Sequence, residues 1–339
     1  MTKKLKNYFP IIKEREEVLS EIYHKKCLQD LFEQWDPKQQ KEFLDYCTGV
    51  KGVKLLYDSF FKSIINPDAT PERLEAMLSC ILKTKVKILK VLPNDSAKIA
   101  AESTLLIMDI VVELEDGSIA NVEAQKIGYA FPGQRSACYS ADLLLRQYKR
   151  LKSEKGKHFN YKDIKKVYTI VFFEKSPVPF QKFMKKHIYI HHSKQMTDTG
   201  VQLDLLQEFV FISLDIYKAK LDNDGVNIEN SLEVWLTFLS VDDPEIIIKL
   251  ITDYPEFKKM YEEVYEMCLN MERMMEMFSK ELLELDKNTV QYMIDEMQDK
   301  IDELVIKNNE KEYLLSQQGS LLEKQQQEIA MLKEALSQK

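Results

Sequence analysis

Two carboxylates on neighbouring β-strands are the residues in this chain best placed to do chemistry. Residues 104–127, TLLIMDIVVELEDGSIANVEAQKI, read as two strands folded back on each other, rich in β-branched and other apolar residues, with Asp-Gly at the bend. Alternate residues of a strand face opposite sides. Leu106, Met108, Ile110, Val112 and Leu114 share one face of the first strand, and Ile107, Asp109, Val111 and Glu113 share the other. In the second strand Ala120, Val122 and Ala124 oppose Ile119, Asn121, Glu123 and Gln125. The apolar faces have to coincide, because a slip of one residue would turn one of them to water. That requires Leu114 to pair with Ser118 across the three-residue loop Glu115-Asp116-Gly117, with Gly117 in the left-handed region. A two-residue turn would set Glu115 against Ser118 and mismatch the faces. In the required register Asp109 lies opposite Glu123, and Ile107 opposite Gln125. Two carboxylates on one face of a small sheet, with core on the other face, form a seat for a hard divalent cation. The plain alternative is a pair of solvated acids on a half-buried hairpin. An aspartate set between Met108 and Ile110, facing a second acid, argues against it.

The elements that must position these acids follow from the pattern around them. Residues 1–50 read as helical and polar, with Asp36-Pro37 opening a helix that Gly49 closes. GVKLLYDSFFKSIIN reads as a short amphipathic helix carrying Asp58 and Lys62 on one face. PERLEAMLSCILK is a further helix begun by Pro71, and VKILKVL (86–92) a strand. After the hairpin, Phe131 to Leu151 reads as a helix on which Arg135 and Tyr139 share a face. VYTIVFF (167–173) fits a buried central strand, and HIYIHH and EFVFISLDI (208–216) suggest two more. The order helix, strand, hairpin, helix, strand makes an α/β sandwich with a mixed sheet flanked by helices.

These pieces, in this order, resemble the PD-(D/E)XK nuclease superfamily, and within it the bacterial transposase-associated branch related to the recombination-promoting nucleases. YDSFFK with Asp58 and Lys62, Asp109 in its apolar strand, VEAQ with Glu123 and Gln125, the R-x-x-x-Y of Arg135 and Tyr139, and the strand VYTIVFF carry the likeness over roughly residues 50–240. The resemblance implies a restriction-endonuclease-like fold and divalent-metal-dependent endonucleolytic cleavage of DNA, double-stranded, in a transposition or recombination setting. It implies Mg²⁺ or Mn²⁺ held by Asp109, Glu123 and the Ala124 carbonyl, with Asp58 as an additional acid for a second metal or a metal-bound water. A bound cation would relieve charge on the phosphoryl oxygens and lower the pKa of the attacking water. Arg135 and Tyr139 are implied either to contact phosphate or to brace Glu123, with ordinary packing as the alternative.

The chain departs from the superfamily at Gln125, where lysine is usual. Glutamine orients water through hydrogen bonds but brings no charge. The resembling branch commonly carries glutamine there. Strand parity points Lys126 to the opposite face, so Lys62, reaching in from the helix of Asp58, is the candidate replacement for the missing charge.

Charge is distributed unevenly along the chain. The formal net charge is −7, but residues 131–200 hold 15 Lys/Arg against 5 Asp/Glu, whereas residues 201–339 hold 14 against 30. The densest basic run, Arg146 to Lys166, includes Arg146, Lys149, Arg150 and Lys152 as candidate phosphate contacts; a solvated helix end is the competing reading. From Pro244 onward the chain is helical and acidic. Met260, Met267, Met271, Met274, Met275 and Met277 read as packing between helices.

From Ile294 a seven-residue repeat puts Ile294, Ile301, Asn308, Leu315, Leu322, Ile329 and Leu336 at one seam position, and Met297, Leu304, Lys311, Gln318, Gln325 and Leu332 at the other. That pattern suits a coiled-coil homodimer with Asn308 setting register, against a solvated single helix as the alternative. The expected division is therefore a helical accessory segment (1–49), a nuclease-like domain (50–240), an acidic helical segment (241–285) and a coiled-coil helix (286–339).

Several function classes drop out. The five cysteines are scattered and never spaced as C-x-x-C, which suits a reducing cytoplasm and argues against a disulfide frame or zinc site. No run has the length of a membrane span, and MTKKLKNYFPIIKEREEVL lacks a signal peptide's apolar core, so a cytoplasmic protein without membrane attachment is expected. His187, His191 and His192 fall in strand and loop, where the helical spacing that would join them as ligands is missing. Neither a phosphate-binding glycine loop nor a G-x-S-x-G nucleophile motif is present. The rivals to a nuclease are a nuclease-derived DNA-binding protein whose chemistry has faded, and an oligomerisation scaffold whose basic segment meets an acidic protein partner.

Overall fold

A computed structural model describes residues 5–93, 109–127, 132–193, 195–201, 203–224 and 227–337 of the chain. The N-terminal third is helical: α1 (Arg15–His24), α2 (Lys26–Gln34), α3 (Pro37–Cys47), α4 (Asp58–Ile64) and α5 (Pro71–Leu82). Asp36 caps α3, accepting from the amides of Lys38 and Gln39 at 2.8 and 2.9 Å, while Gln39 returns a bond to the Asp36 amide. Gly49 follows at φ +64°, so the expected start and stop of this helix both hold.

The α/β part follows: β1 (Ile88–Val91), β2 (Ile110–Leu114), β3 (Ile119–Ile127), α6 (Pro132–Lys155), β4 (Val167–Lys175), the single turn α7 (Val178–Gln181), β5 (Ile190–His192), β6 (Gln207–Ser213) and α8 (Leu214–Asp224). The strands form one mixed sheet in the order β1-β2-β3-β4-β6-β5, with β3, β4 and β6 parallel to one another and the other pairs antiparallel. β4 is central, as its continuous apolar run requires.

The β2–β3 hairpin has the expected register. Ile110 pairs with Val122, Val112 with Ala120 and Glu113 with Ile119. The Leu114 amide donates to the Ser118 carbonyl at 2.8 Å, and Gly117 sits at φ +82°. Ile110, Val112, Leu114, Ala120 and Val122 enter the main core, while Val111, Ile119 and Val167 form a second cluster with Tyr139 and Leu143 of α6. Helix α6 therefore covers one face of the sheet, where Phe180 of α7 also packs on Phe173 and Phe211, and the main core lies against the other. Leu106, Ile107 and Met108 lie outside the described residues, and with them the pairing of Ile107 with Gln125.

Helices α9 (Ser231–Ser240), α10 (Pro244–Asp253), α11 (Glu256–Leu269) and α12 (Met271–Ser337) complete the chain. The chain divides into two compact units, Met1–Asp286 and Lys287–Lys339. Within the first unit the N-terminal helices, the sheet and the root of α12 share one core: Trp35 and Phe43 pack on Phe278 at centroid distances of 4.9 and 5.4 Å. The methionines pack as expected, with Met260, Met271, Met274, Met275 and Met277 buried. The second unit is helix throughout its described length, and Ile294, Ile301, Leu315 and Leu322 are exposed along it.

Two elements differ from expectation. The helix read from Gly52 begins only at Asp58: the Gly52 amide donates to the Asp242 carbonyl at 2.8 Å, and Val53, Leu55 and Leu56 are taken into the core. The strand read over 208–216 ends at Ser213, where α8 begins; Asp215 instead accepts from the Ser176 amide at 2.9 Å and ties that turn to the end of β4.

Candidate active site

The candidate residues come from three elements. The hairpin register, continued by one pair beyond Ile110 and Val122, sets Asp109 against Glu123. Asp109 Oδ2 accepts from the Ala124 amide at 2.8 Å, and the Asp109 amide points to Glu123 Oε1 at 3.4 Å. Each acid is thus held by the other's strand. Gln125 follows on the same face of β3 and is buried, its Oε1 without a hydrogen-bond partner among the described residues.

Helix α4 supplies the cation. Lys62 Nζ lies 2.7 Å from Asp58 Oδ1, one helical turn away, and 3.4 Å from Asp109 Oδ1. It reaches Asp109, so α4 brings a positive charge to the face of the sheet from which Lys126 is turned away. Asp58 stands beyond it, joined to Asp109 through that ammonium. Lys126 points to the other face, as strand parity requires. There it pairs with Glu281 of α12 in the core, with its Nζ 4.5 Å from the Tyr57 ring centre.

Burial sets the electrostatics. Glu123 is 4% exposed, and burial with the adjacent Asp109 charge pushes its carboxyl up to about 8, although the Asn121 amide and the Arg135 guanidinium pull the other way. Burial raises Asp109 as well, against the opposing pull of Lys62 and the Ala124 amide. Burial also disfavours the Lys62 ammonium, but Asp109 and Asp58 outweigh it and hold its pKa above the ordinary value. Two buried acids side by side, each reluctant to ionise next to the other, are a donor set that a divalent cation would relieve.

The residues present fit Mg²⁺ or Mn²⁺. Among the described residues no group of three or more His, Cys, Asp or Glu side chains gathers around one point. The ion would therefore be held by two carboxylates with water and substrate phosphate completing the shell, which is the habit of Mg²⁺. The unpartnered Gln125 oxygen is a natural acceptor for such a water.

The helix residues divide by role. Arg135 stacks on Tyr139 with 5.2 Å between the guanidinium carbon and the ring centre, and its charge acts on Glu123. Tyr139 is 1% exposed and packed with Val111 and Ile119, the packing role that was the alternative reading for it. Arg146 pairs with Asp142 at 2.7 Å and donates to the Pro93 carbonyl, and Arg150 grips Glu113 with both terminal nitrogens at 2.7 and 3.0 Å. Both arginines are paired with acids of the fold and remain partly exposed. Lys149 and Lys152 are exposed.

The histidines do not gather as ligands: His191 packs against Phe180 and Phe183 at 4.9 and 4.8 Å, and burial lowers its pKa. Asn121, fully buried two residues before Glu123, has a part in the site that sequence reasoning missed; its parity with Glu123 was the available signal.

A family model described as PD-(D/E)XK nuclease family transposase matches residues 55–297. Neither the curated proteins nor the solved structures contain a match to the chain. Among the described residues no helix is long and apolar enough to cross a membrane.

Proposed function

The chain belongs to the PD-(D/E)XK nuclease family transposases, and on that premise we propose that it is a divalent-metal-dependent endonuclease that hydrolyses phosphodiester bonds of double-stranded DNA. The observation that carries this reading is the placement of Asp109 opposite Glu123, each bonded across the hairpin, with Lys62 beside them. Asp109 and Glu123, with the Ala124 carbonyl, would hold Mg²⁺ or Mn²⁺. When bound, that ion supplies charge relief at the phosphoryl oxygens and a more acidic attacking water.

The protein's own groups orient the water and offset the charge that develops. Gln125 Oε1 accepts a hydrogen bond from the water and turns its lone pair toward phosphorus. Lys62 offers an ammonium to the negative charge that grows on the phosphoryl group, a role for which a preorganised cation is effective. Asp58 holds Lys62 in place at 2.7 Å. Lys149 and Lys152 on the exposed side of α6 would attract the DNA backbone. A second copy joined through α12 would present two such sites, one for each strand of a duplex.

The test is nicking of supercoiled plasmid. Wild-type protein with Mg²⁺ or Mn²⁺ is expected to nick, Asp109→Ala and Glu123→Ala to lose activity, and Lys62→Ala to fall by about a hundredfold, the usual cost of one charge-stabilising donor. An undiminished rate in Lys62→Ala would remove Lys62 from the mechanism. The neutral Gln125 favours a second reading, a DNA-binding protein of nuclease fold without chemistry. Strongly salt-dependent binding with no cutting in either metal would select it.

A further inference from the structure

Beyond the acidic site, the C-terminal end of α6 and the turns that follow gather three aromatic rings at the surface. Tyr148 and Tyr161 lie nearly parallel, 14° apart with centroids 6.2 Å from each other, and Phe159 stands edge-on to both at 5.4 Å. Tyr161 is 72% exposed, so this small pile ends in a ring open to solvent. Cations surround it. Lys152 lies 5.1 Å from the Tyr148 ring centre and donates to its hydroxyl at 2.7 Å. Lys149, Lys157, Lys162 and Lys165 make no ion pair among the described residues, whereas Lys155 and Lys166 are taken by Asp163 and Glu208. Tyr161 also walls an open groove of about 710 Å³ lined by Lys162, Lys165 and Lys166 together with Asp116 and Asp204.

The fold makes little use of these rings. Most of the chain's large aromatics are buried, whereas this cluster stands outside both cores. Open rings among lysines without partners are what a nucleobase and its phosphates require: every base has a face to stack, and the backbone follows the positive charge. A paired base hides its faces in the duplex. The platform therefore favours an unpaired strand over a duplex and over an acidic peptide, which would use the charges but not the stacking.

We propose that this surface is a subsite for an unpaired nucleic-acid strand, with a base stacked on Tyr161 and its phosphates held by the neighbouring lysines. Thirteen residues of α6 separate Arg135 from Tyr148, about 20 Å of helix. At 3.4 Å per nucleotide step that is roughly six base pairs from Arg135, whose charge acts on Glu123. The substrate that fits both places is DNA with a flap, gap or opened end about half a turn from the bond to be cut.

The choice of ligand rests on the nuclease reading, and binding is therefore measured with divalent metal chelated. Failure to bind a single strand then leaves duplex cutting intact, and absence of cutting leaves the subsite intact. The experiment titrates the full chain into a single-stranded oligonucleotide containing 2-aminopurine, following quenching by stacking, and into labelled oligothymidylate, following anisotropy. Wild-type protein is expected to quench the probe. Tyr161→Ala should weaken single-strand binding by about fivefold or more, and Tyr161→Phe should keep it within about twofold. Thermal melting of the variants checks that the fold survives. Equal affinity of wild type and Tyr161→Ala, or no quenching by wild type, overturns the proposal. So does a change in oligomeric state in Tyr161→Ala without loss of binding, which would assign the rings to an acidic helix of a second copy.

Discussion

Glu123 is the residue on which pH acts most strongly. Burial and the neighbouring Asp109 charge push its carboxyl up from an ordinary 4.5 to about 8. Between those values the folded state holds a proton that the unfolded chain has released. Without metal, this group therefore favours folding below about pH 4.5, and its contribution is lost as pH rises toward 8. Glu123→Gln removes the penalty. The variant is expected to melt higher than wild type at pH 8 without metal and to show a flatter dependence between pH 5 and 8; each kcal/mol corresponds to about 2–4 °C. Adding Mg²⁺ should raise the wild-type melting temperature and leave the variant unmoved. Equal slopes in a calorimetric pH series would show that Glu123 is not strained by its neighbour.

At the scale of the element, the question is what α12 does beyond its root. Its first turns are anchored by Met274, Met275 and Phe278 in the core and by Glu281 on Lys126, directly beside Gln125 in β3. Farther along, the seam residues Ile294, Ile301, Leu315, Leu322 and Ile329 are each about half exposed or more. A helix that leaves a heptad stripe in water is stabilised by pairing. Sedimentation of the full chain is expected to give a dimer, and a chain ending at residue 286 a monomer. A full-length monomer at micromolar concentration would leave α12 a single solvated helix.

Elements also show what could be read beforehand. The hairpin register was legible because only one pairing keeps Ile110, Val112, Ala120 and Val122 on one face. The start of α4 was not, because it depends on Gly52 meeting Asp242, far away in sequence. For the same reason, parity told where Lys126 would not go but could not name Glu281 as its partner. The arrival of Lys62 at Asp109 could be raised as a possibility of geometry, yet only the packing of α4 decided it.

For the whole molecule, the acidic balance of the sequence conceals a division of labour. The acids proposed for chemistry are buried near one end of α6, and the lysines and rings proposed to hold a nucleic-acid chain lie at the other. Part of the basic run is spent on the fold, since Arg146 and Arg150 hold Asp142 and Glu113, so counting charges overstated the surface left for DNA. The proposed cutting at one end of α6 requires a cation between the two hairpin acids. Crystals of the full chain soaked in Mn²⁺ and measured at the manganese edge test this directly. The account predicts an anomalous peak within bonding distance of the Asp109 and Glu123 carboxylates, displacing Lys62 from Asp109. No peak there at saturating Mn²⁺, with both side chains in place, would contradict it.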